Sequence, residues 1–263
     1  MSLKRSVDFL PRGFLSPSAI ETYLKCPYRW YLMYVEGHKS LTVSVAITEG
    51  KSVHKAMELN NHHKVKEGED LPTKELVEVF SDTFSNQATE VTDWENEKKD
   101  SIIARGSTFM ERYRKLFAKK YFPMDEQSIE KKITGEIRGI PVLGYIDLVS
   151  QPSNTVPTIV DYKVSKRAKQ EREASLSIQM GVYSALMDIP SVRYLCFVKT
   201  KTPKITTVNG FRTPDSIQRV ERVIDGVADG IKRGSFPYCD PTHPLCCQKY
   251  CGVWYACPQG GKA

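Results

Sequence analysis

Two acids and a lysine stand in neighbouring apolar stretches: Asp147 in Gly144-Tyr145-Ile146-Asp147-Leu148-Val149, then Asp161 and Lys163 in Ile159-Val160-Asp161-Tyr162-Lys163. Residues two apart on a strand project from one face, so Asp161 and Lys163 can converge on one point. Carboxylate oxygens are hard ligands that suit Mg²⁺ or Mn²⁺. Such a cation neutralises a phosphate and acidifies water, while a lysine beside it orients that water and stabilises the developing charge. A phosphodiester is the natural substrate of this trio. Asp-x-Lys alone occurs by chance in most proteins. Here, however, both acids lie in apolar strands, where an unpaired carboxylate is costly to bury, so each is expected to hold a partner or a metal.

A second cluster is sulfur-rich. The seven cysteines are lopsided: Cys26 near the start, Cys196 alone, and Cys239, Cys246, Cys247, Cys251 and Cys257 near the end. An odd number in that arrangement argues against a secreted disulfide framework. The tail offers three thiolates in one short stretch and Cys26 can supply a fourth. Four thiolates bind zinc or an iron-sulfur cluster, and spacing alone does not choose between them. Cys196, in an apolar strand, and Cys239 read as structural cysteines.

The elements that must position these groups follow from periodicity and punctuation. Ser16-Pro17-Ser18 opens a helical segment over 15–35, and Pro27 breaks or restarts it just after Cys26. A second helix spans 47–66, with Val53, Ala56, Met57 and Ile47 as its apolar stripe and His54 and Glu58 on one face. Helices are predicted over 73–89 and 96–122. From Ser128 short β-rich runs follow, separated by Gly135, Gly139 and Gly144, then a strand over 158–164. A helix over 173–187, strands over 193–199 and 205–208, and a helix over 214–233 complete an α/β or α+β core with helical decoration. The expected division is a helical region at 1–127, a catalytic core at 128–234 and a cysteine-rich tail at 235–263.

In order along the chain, Gly50-Lys51-Ser52-Val53-His54, the Asp147 strand, Asp161-Tyr162-Lys163 and Gln179-Met180-Gly181-Val182-Tyr183 resemble the motifs of RecB-type nucleases of the PD-(D/E)XK superfamily. The resemblance implies a restriction-endonuclease-like mixed sheet flanked by helices. It implies His54, Asp147 and Asp161 as metal ligands, the Tyr162 carbonyl as a further possible ligand, Lys163 as catalytic lysine, and Gln179 and Tyr183 as its support or as DNA contacts. The second acid is aspartate where glutamate is commoner in the family, which shortens the reach to metal by one methylene. Ser16-x-Ser18 leading to Tyr23-x-x-Cys26-Pro27-x-x-Trp30, with the three-cysteine tail, is similar to the clamp of AddB-like and CRISPR-associated exonucleases. That similarity implies a 4Fe-4S cluster, rather than zinc, on Cys26, Cys246, Cys251 and Cys257, with Cys247 competing for the place of Cys246.

The chain of 263 residues is 40% hydrophobic and 26% charged, with 38 Lys and Arg against 31 Asp and Glu, a formal charge of +7 that fits a polyanionic partner. No run approaches the roughly 20 apolar residues of a membrane helix, and Met1-Ser2-Leu3-Lys4-Arg5 leads into no apolar signal core, so a cytoplasmic location is expected. The basic run Lys163, Lys166, Arg167, Lys169 and Arg172 is either a guide for a phosphate backbone or a solvated loop. No Walker A motif is present, so any helicase motor belongs to a partner in recombination, phage replication or CRISPR processing. The expected activity is an exonuclease or end-processing nuclease acting on DNA, preferentially single-stranded. The rival is a non-catalytic iron-sulfur module that binds nucleic acid or serves assembly.

Overall fold

Ser16 accepts the Ala19 N–H at 3.2 Å and Pro17 fills the first helical position, which starts α1 (Pro17–Lys25). Pro27 cannot continue that ladder and instead opens α2 (Pro27–Tyr34). Cys26 between them is extended, and its Sγ caps α2 by accepting the Arg29 N–H at 3.3 Å. This computed structural model describes residues 8–260. The segment Met1-Ser2-Leu3-Lys4-Arg5, from which a cytoplasmic location is expected, lies outside them.

Ser44 caps α3 (Val45–Glu67), and Gly68, at φ +80°, ends it. Val53, Ala56 and Met57 are fully buried as expected, whereas Ile47 is 53% exposed. Val45, two residues earlier on the opposite flank, is buried instead. The helices α4 (Thr73–Gln87) and α5 (Lys99–Leu116) follow, the second shorter than the 96–122 expected. Gly135 and Gly144 lie inside β1 (Ile129–Ile137) and β2 (Ile140–Ser150) rather than between strands. The break between these strands falls at Arg138 and Gly139, which adopt φ of +54° and +75°.

After β3 (Thr158–Ser165), the single helix expected over 173–187 is two: α6 (Glu171–Leu176) and α7 (Ile178–Met187). Ser177 separates them because its extended backbone and hydroxyl cap α7, accepting the Met180 N–H at 3.2 Å. The chain closes with β4 (Ser191–Val198), β5 (Lys204–Phe211) and α8 (Pro214–Lys232). Among the described residues the sheet has five strands in the order β1-β2-β3-β4-β5, with β2–β3 and β4–β5 antiparallel and β3–β4 parallel. The fold is α+β, a mixed sheet flanked by helices, and among the described residues no helix is long and apolar enough to cross a membrane.

Two compact units are present, neither a contiguous run of the sequence. One comprises the described residues of Met1–Thr42, Ile133–Gly144 and Pro214–Ala263, and the other Val43–Lys132 and Tyr145–Thr213. In the second, α3, α4 and α5 bury Met57, Phe80, Phe84, Phe109 and Tyr113 with Leu148, Val160, Leu195 and Phe197 of the strands. Each such side chain contributes about 1.5–3 kcal/mol by leaving water. The same unit buries an ion pair, Lys64 Nζ lying 2.5 Å from Asp70 Oδ1 and donating to the carbonyls of Ala118 at 2.6 Å and Tyr121 at 2.8 Å. In the first unit, Trp30 stacks on Phe236 and meets Tyr23 edge-on, and the Tyr23 hydroxyl donates to the Ser235 carbonyl at 2.6 Å.

Candidate active site

The β2–β3 ladder pairs Ser150 with Thr158, Val149 with Ile159 and Leu148 with Val160, and stops one step short of Asp147 and Asp161. The two acids therefore stand where the strands part. Asp147 Oδ2 takes the Tyr162 N–H at 2.7 Å, supplying the acceptor that a strand partner would have offered. Both acids are buried, Asp147 at 8% and Asp161 at 2% exposure.

Lys163 Nζ lies 2.7 Å from Asp161 Oδ2 and donates to Gln179 Oε1 at 3.1 Å, and Gln179 Nε2 donates in turn to the Tyr183 hydroxyl at 3.1 Å. Gln179 and Tyr183 are four apart on α7, so one helix face presents the relay to the strand. Burial works against the charge on Lys163, but the neighbouring Asp161 outweighs it and holds the ammonium firmly protonated. Burial raises the Asp161 carboxyl, with Lys163 opposing the rise.

His54, from α3, has Nε2 2.9 Å from the Tyr162 carbonyl and Nδ1 3.4 Å from Asp147 Oδ1. A carbonyl only accepts, so Nε2 carries a hydrogen. The Tyr162 carbonyl, expected as a possible metal ligand, thus serves as the anchor of the imidazole. Ligating histidines commonly donate their second ring N–H to a backbone carbonyl, which leaves Nδ1 as the nitrogen suited to a cation.

One residue escaped the sequence reading. Glu130, at the start of β1 with φ +44°, offers a carboxylate that, with donor atoms of His54 and Asp147, forms a group within 4.8 Å. Its signal in the sequence was a lone acid among the alternating residues of a strand, which is indistinguishable from a solvated position. Burial, then the nearby Asp147 charge, pushes Glu130 up to about 7. A nitrogen and two carboxylates in this arrangement fit a divalent cation, and Asp161 adds a further buried oxygen donor beside them. His54, Glu130, Lys51, Lys55 and Glu58 line one cleft of about 660 Å³, in which Lys55 pairs with Glu58 at 3.0 Å.

Protons compete for these ligands. Burial lowers the His54 pKa, but Asp147, followed by Asp161 and Glu130, overcomes this and raises it to about 9. A group with a raised pKa holds its proton until the pH passes that value, and a ligating nitrogen must lose it. Divalent cation affinity is therefore expected to rise from pH 7 to pH 9, with proton release on binding, as titration calorimetry in two buffers of different ionisation enthalpy would measure. An affinity that stays flat over this range would exclude His54 from the ligand set. Glu130→Gln, which keeps the shape and removes the charge, is expected to weaken Mn²⁺ binding about 10–100-fold in the same experiment, the range seen when an orienting or ligating partner is lost.

Three members of the basic run following Asp161 stand in ion pairs. Lys166 pairs with Glu95 at 3.3 Å, and Arg167 and Lys169 with Glu173 at 2.9 and 3.1 Å.

The cysteines of the first unit meet at another place. Cys26, Cys239, Cys246, Cys251 and Cys257 line one small cavity together with Arg29, Trp254 and Tyr238. Cys247 turns away, its thiol donating to the Pro244 carbonyl at 3.4 Å. Cys239, expected to be structural, instead faces Cys26 and Cys246. Cys196 is fully buried in β4. The donor set fits a four-thiolate centre, and the Arg29 Nε, buried there without a hydrogen-bond partner, places positive charge against the negative charge that such a centre carries.

Paired acids and a lysine at the opening of a mixed α+β sheet define a restriction-endonuclease-like nuclease fold. The profile of the PD-(D/E)XK nuclease superfamily matches residues 14–258, and the chain belongs to that superfamily. The crystal structure of a "Putative exonuclease" from Eubacterium rectale is 16% identical, covers 94% of this chain and 92% of its own, and superposes with a TM-score of 0.59, a likeness of fold. SSO0001, 12% identical over 89% of this chain and 95% of its own, superposes with a TM-score of 0.37. No curated protein matches the chain.

Proposed function

We propose that this protein is a Mg²⁺- or Mn²⁺-dependent deoxyribonuclease that hydrolyses phosphodiester bonds at DNA ends, preferring single strands. The observation that carries the reading is the convergence of Asp147, Asp161 and Lys163 with His54 and Glu130 at the parting of β2 and β3. When bound, a divalent cation supplies charge neutralisation at the phosphate and acidifies an attacking water. The protein's own groups do the rest. His54 and Asp147 offer ligand atoms, Asp161 fixes the Lys163 ammonium, and that ammonium stands ready for the charge developing on the phosphate. Gln179 and Tyr183 hold the lysine in place.

Exonucleolytic action is supported by the name of the fold neighbour from Eubacterium rectale and by the resemblance to RecB-type, AddB-like and CRISPR-associated enzymes. Preference for single strands rests on that resemblance alone, as does work with a helicase or recombination partner. The thiol cavity supports a thiolate centre, and the resemblance to AddB-like and CRISPR-associated enzymes is what makes it a 4Fe-4S cluster on Cys26, Cys246, Cys251 and Cys257, with structural effect, since a cross-link between distant residues constrains the unfolded chain.

Cleavage of single- and double-stranded DNA labelled at either end, with Mg²⁺ or Mn²⁺ and with a chelator, tests the proposal. Stepwise shortening from one end that stops on chelation is the expected result, and RNA of the same sequence serves as the comparison substrate. A folded, metal-loaded protein that leaves every DNA intact would overturn the reading in favour of a binding module.

A further inference from the structure

Five thiols line a cavity where a tetrahedral metal or a cubane takes four. Their neighbour relations are uneven. Cys251 lies near Cys257 and Cys26, and Cys239 lies near Cys246 and Cys26. Cys26 is thus common to both groups, and Cys26, Cys251 and Cys257 account for three positions. The fourth falls where Cys239 and Cys246 sit together. Both belong to a stretch without helix or strand: the residues after α8 up to Trp254 are turns, bends and extended backbone, so neither sulfur is held by a regular element. Cys247 stands next to Cys246 in sequence but outside the cavity.

Resting on the cluster reading above, we infer that Cys239 and Cys246 are interchangeable ligands for one corner of the centre, so that the site carries a reserve thiolate. The exchange is a plain ligand substitution. One thiol gives its proton to solvent and binds the metal, and the displaced thiolate takes up a proton, with no change of oxidation state.

The test loads the full chain anaerobically with ferrous iron and sulfide and reads iron, sulfide and visible absorbance per chain. Cys239→Ser and Cys246→Ser are each expected to keep most of the metal, the double variant to lose nearly all of it, and Cys247→Ser to match the wild type. If one single variant abolishes loading while the other leaves it untouched, the corner has a fixed ligand and the inference falls. Wild-type loading separately tests the cluster reading: a chain that binds zinc and no iron refutes the cluster, and the same comparison is then read in zinc per chain.

Alkylation of the loaded wild type, mapped by mass spectrometry, needs no variant to fold. Modification shared between Cys239 and Cys246, with Cys26, Cys251 and Cys257 protected, supports the exchange. Full modification of one and full protection of the other overturns it.

Discussion

Lys163→Ala is expected to lower DNA cleavage about 10²–10³-fold, chiefly in kcat with little change in KM, the loss typical of removing one preorganised charge from a developing oxyanion. The ammonium is positioned by Asp161 Oδ2 at 2.7 Å and Gln179 Oε1 at 3.1 Å. An interaction made only in the transition state leaves ground-state binding intact. Gln179→Ala, which loosens the lysine without removing it, should cost less, about 10–100-fold. Initial rates over a range of DNA concentrations separate the two constants, and circular dichroism controls for folding. A Lys163→Ala enzyme with unchanged kcat and a raised KM would turn the lysine into a substrate-binding group.

Asp70→Ala is expected to destabilise the protein by about 3–5 kcal/mol, read as a lowered urea midpoint, because it strands the Lys64 ammonium in the core. Lys64 and Asp70 have side chains 1% and 6% exposed, and the two carbonyls that also accept from Lys64 carry no compensating charge. The substitution further removes the acceptor that Asn60 Nδ2 uses at 2.8 Å. Replacing both partners, as Lys64→Met with Asp70→Leu, should restore most of the loss, since two apolar groups of similar volume leave no buried charge. A loss below about 1 kcal/mol in the single variant would show that water reaches the ammonium on the cost scale of a surface pair.

The grouping of the acids and the lysine was legible because strand chemistry is local. Period-two alternation puts Asp161 and Lys163 on one face from the sequence alone, and four-residue spacing does the same for Gln179 and Tyr183 on α7. The nearness of Glu130 to His54 and Asp147 was not legible, since nothing local distinguishes a strand acid that joins such a group from one that points at water. Its place depends on how β1 lies against β2. Ser177 shows the limit for boundaries: apolar spacing runs unbroken across it, and only its hydroxyl, used as a cap, divides the helix. Gly135 and Gly144 mislead in the other direction, because a strand tolerates glycine where neighbouring side chains supply the packing. For the cysteines, clustering was visible but membership was not. Cys239 enters the cavity and Cys247 leaves it through the path of an irregular loop, which periodicity does not encode.

The first unit draws on segments from both ends of the described chain, and this bears on the order of events during translation. Chains emerge amino end first, at about 5–20 residues per second. By the time Thr213 has left the ribosome, every residue of the second unit has been made, including the whole acid, histidine and lysine set. Cys26 by then has none of its thiol partners in the cavity, because Cys239, Cys246, Cys251 and Cys257 are still to come. On the proposed cluster reading, capture of iron or zinc must follow the synthesis of Cys257, and a ribosome halted after Thr213 leaves the residues proposed for the nuclease site complete and the thiol site open.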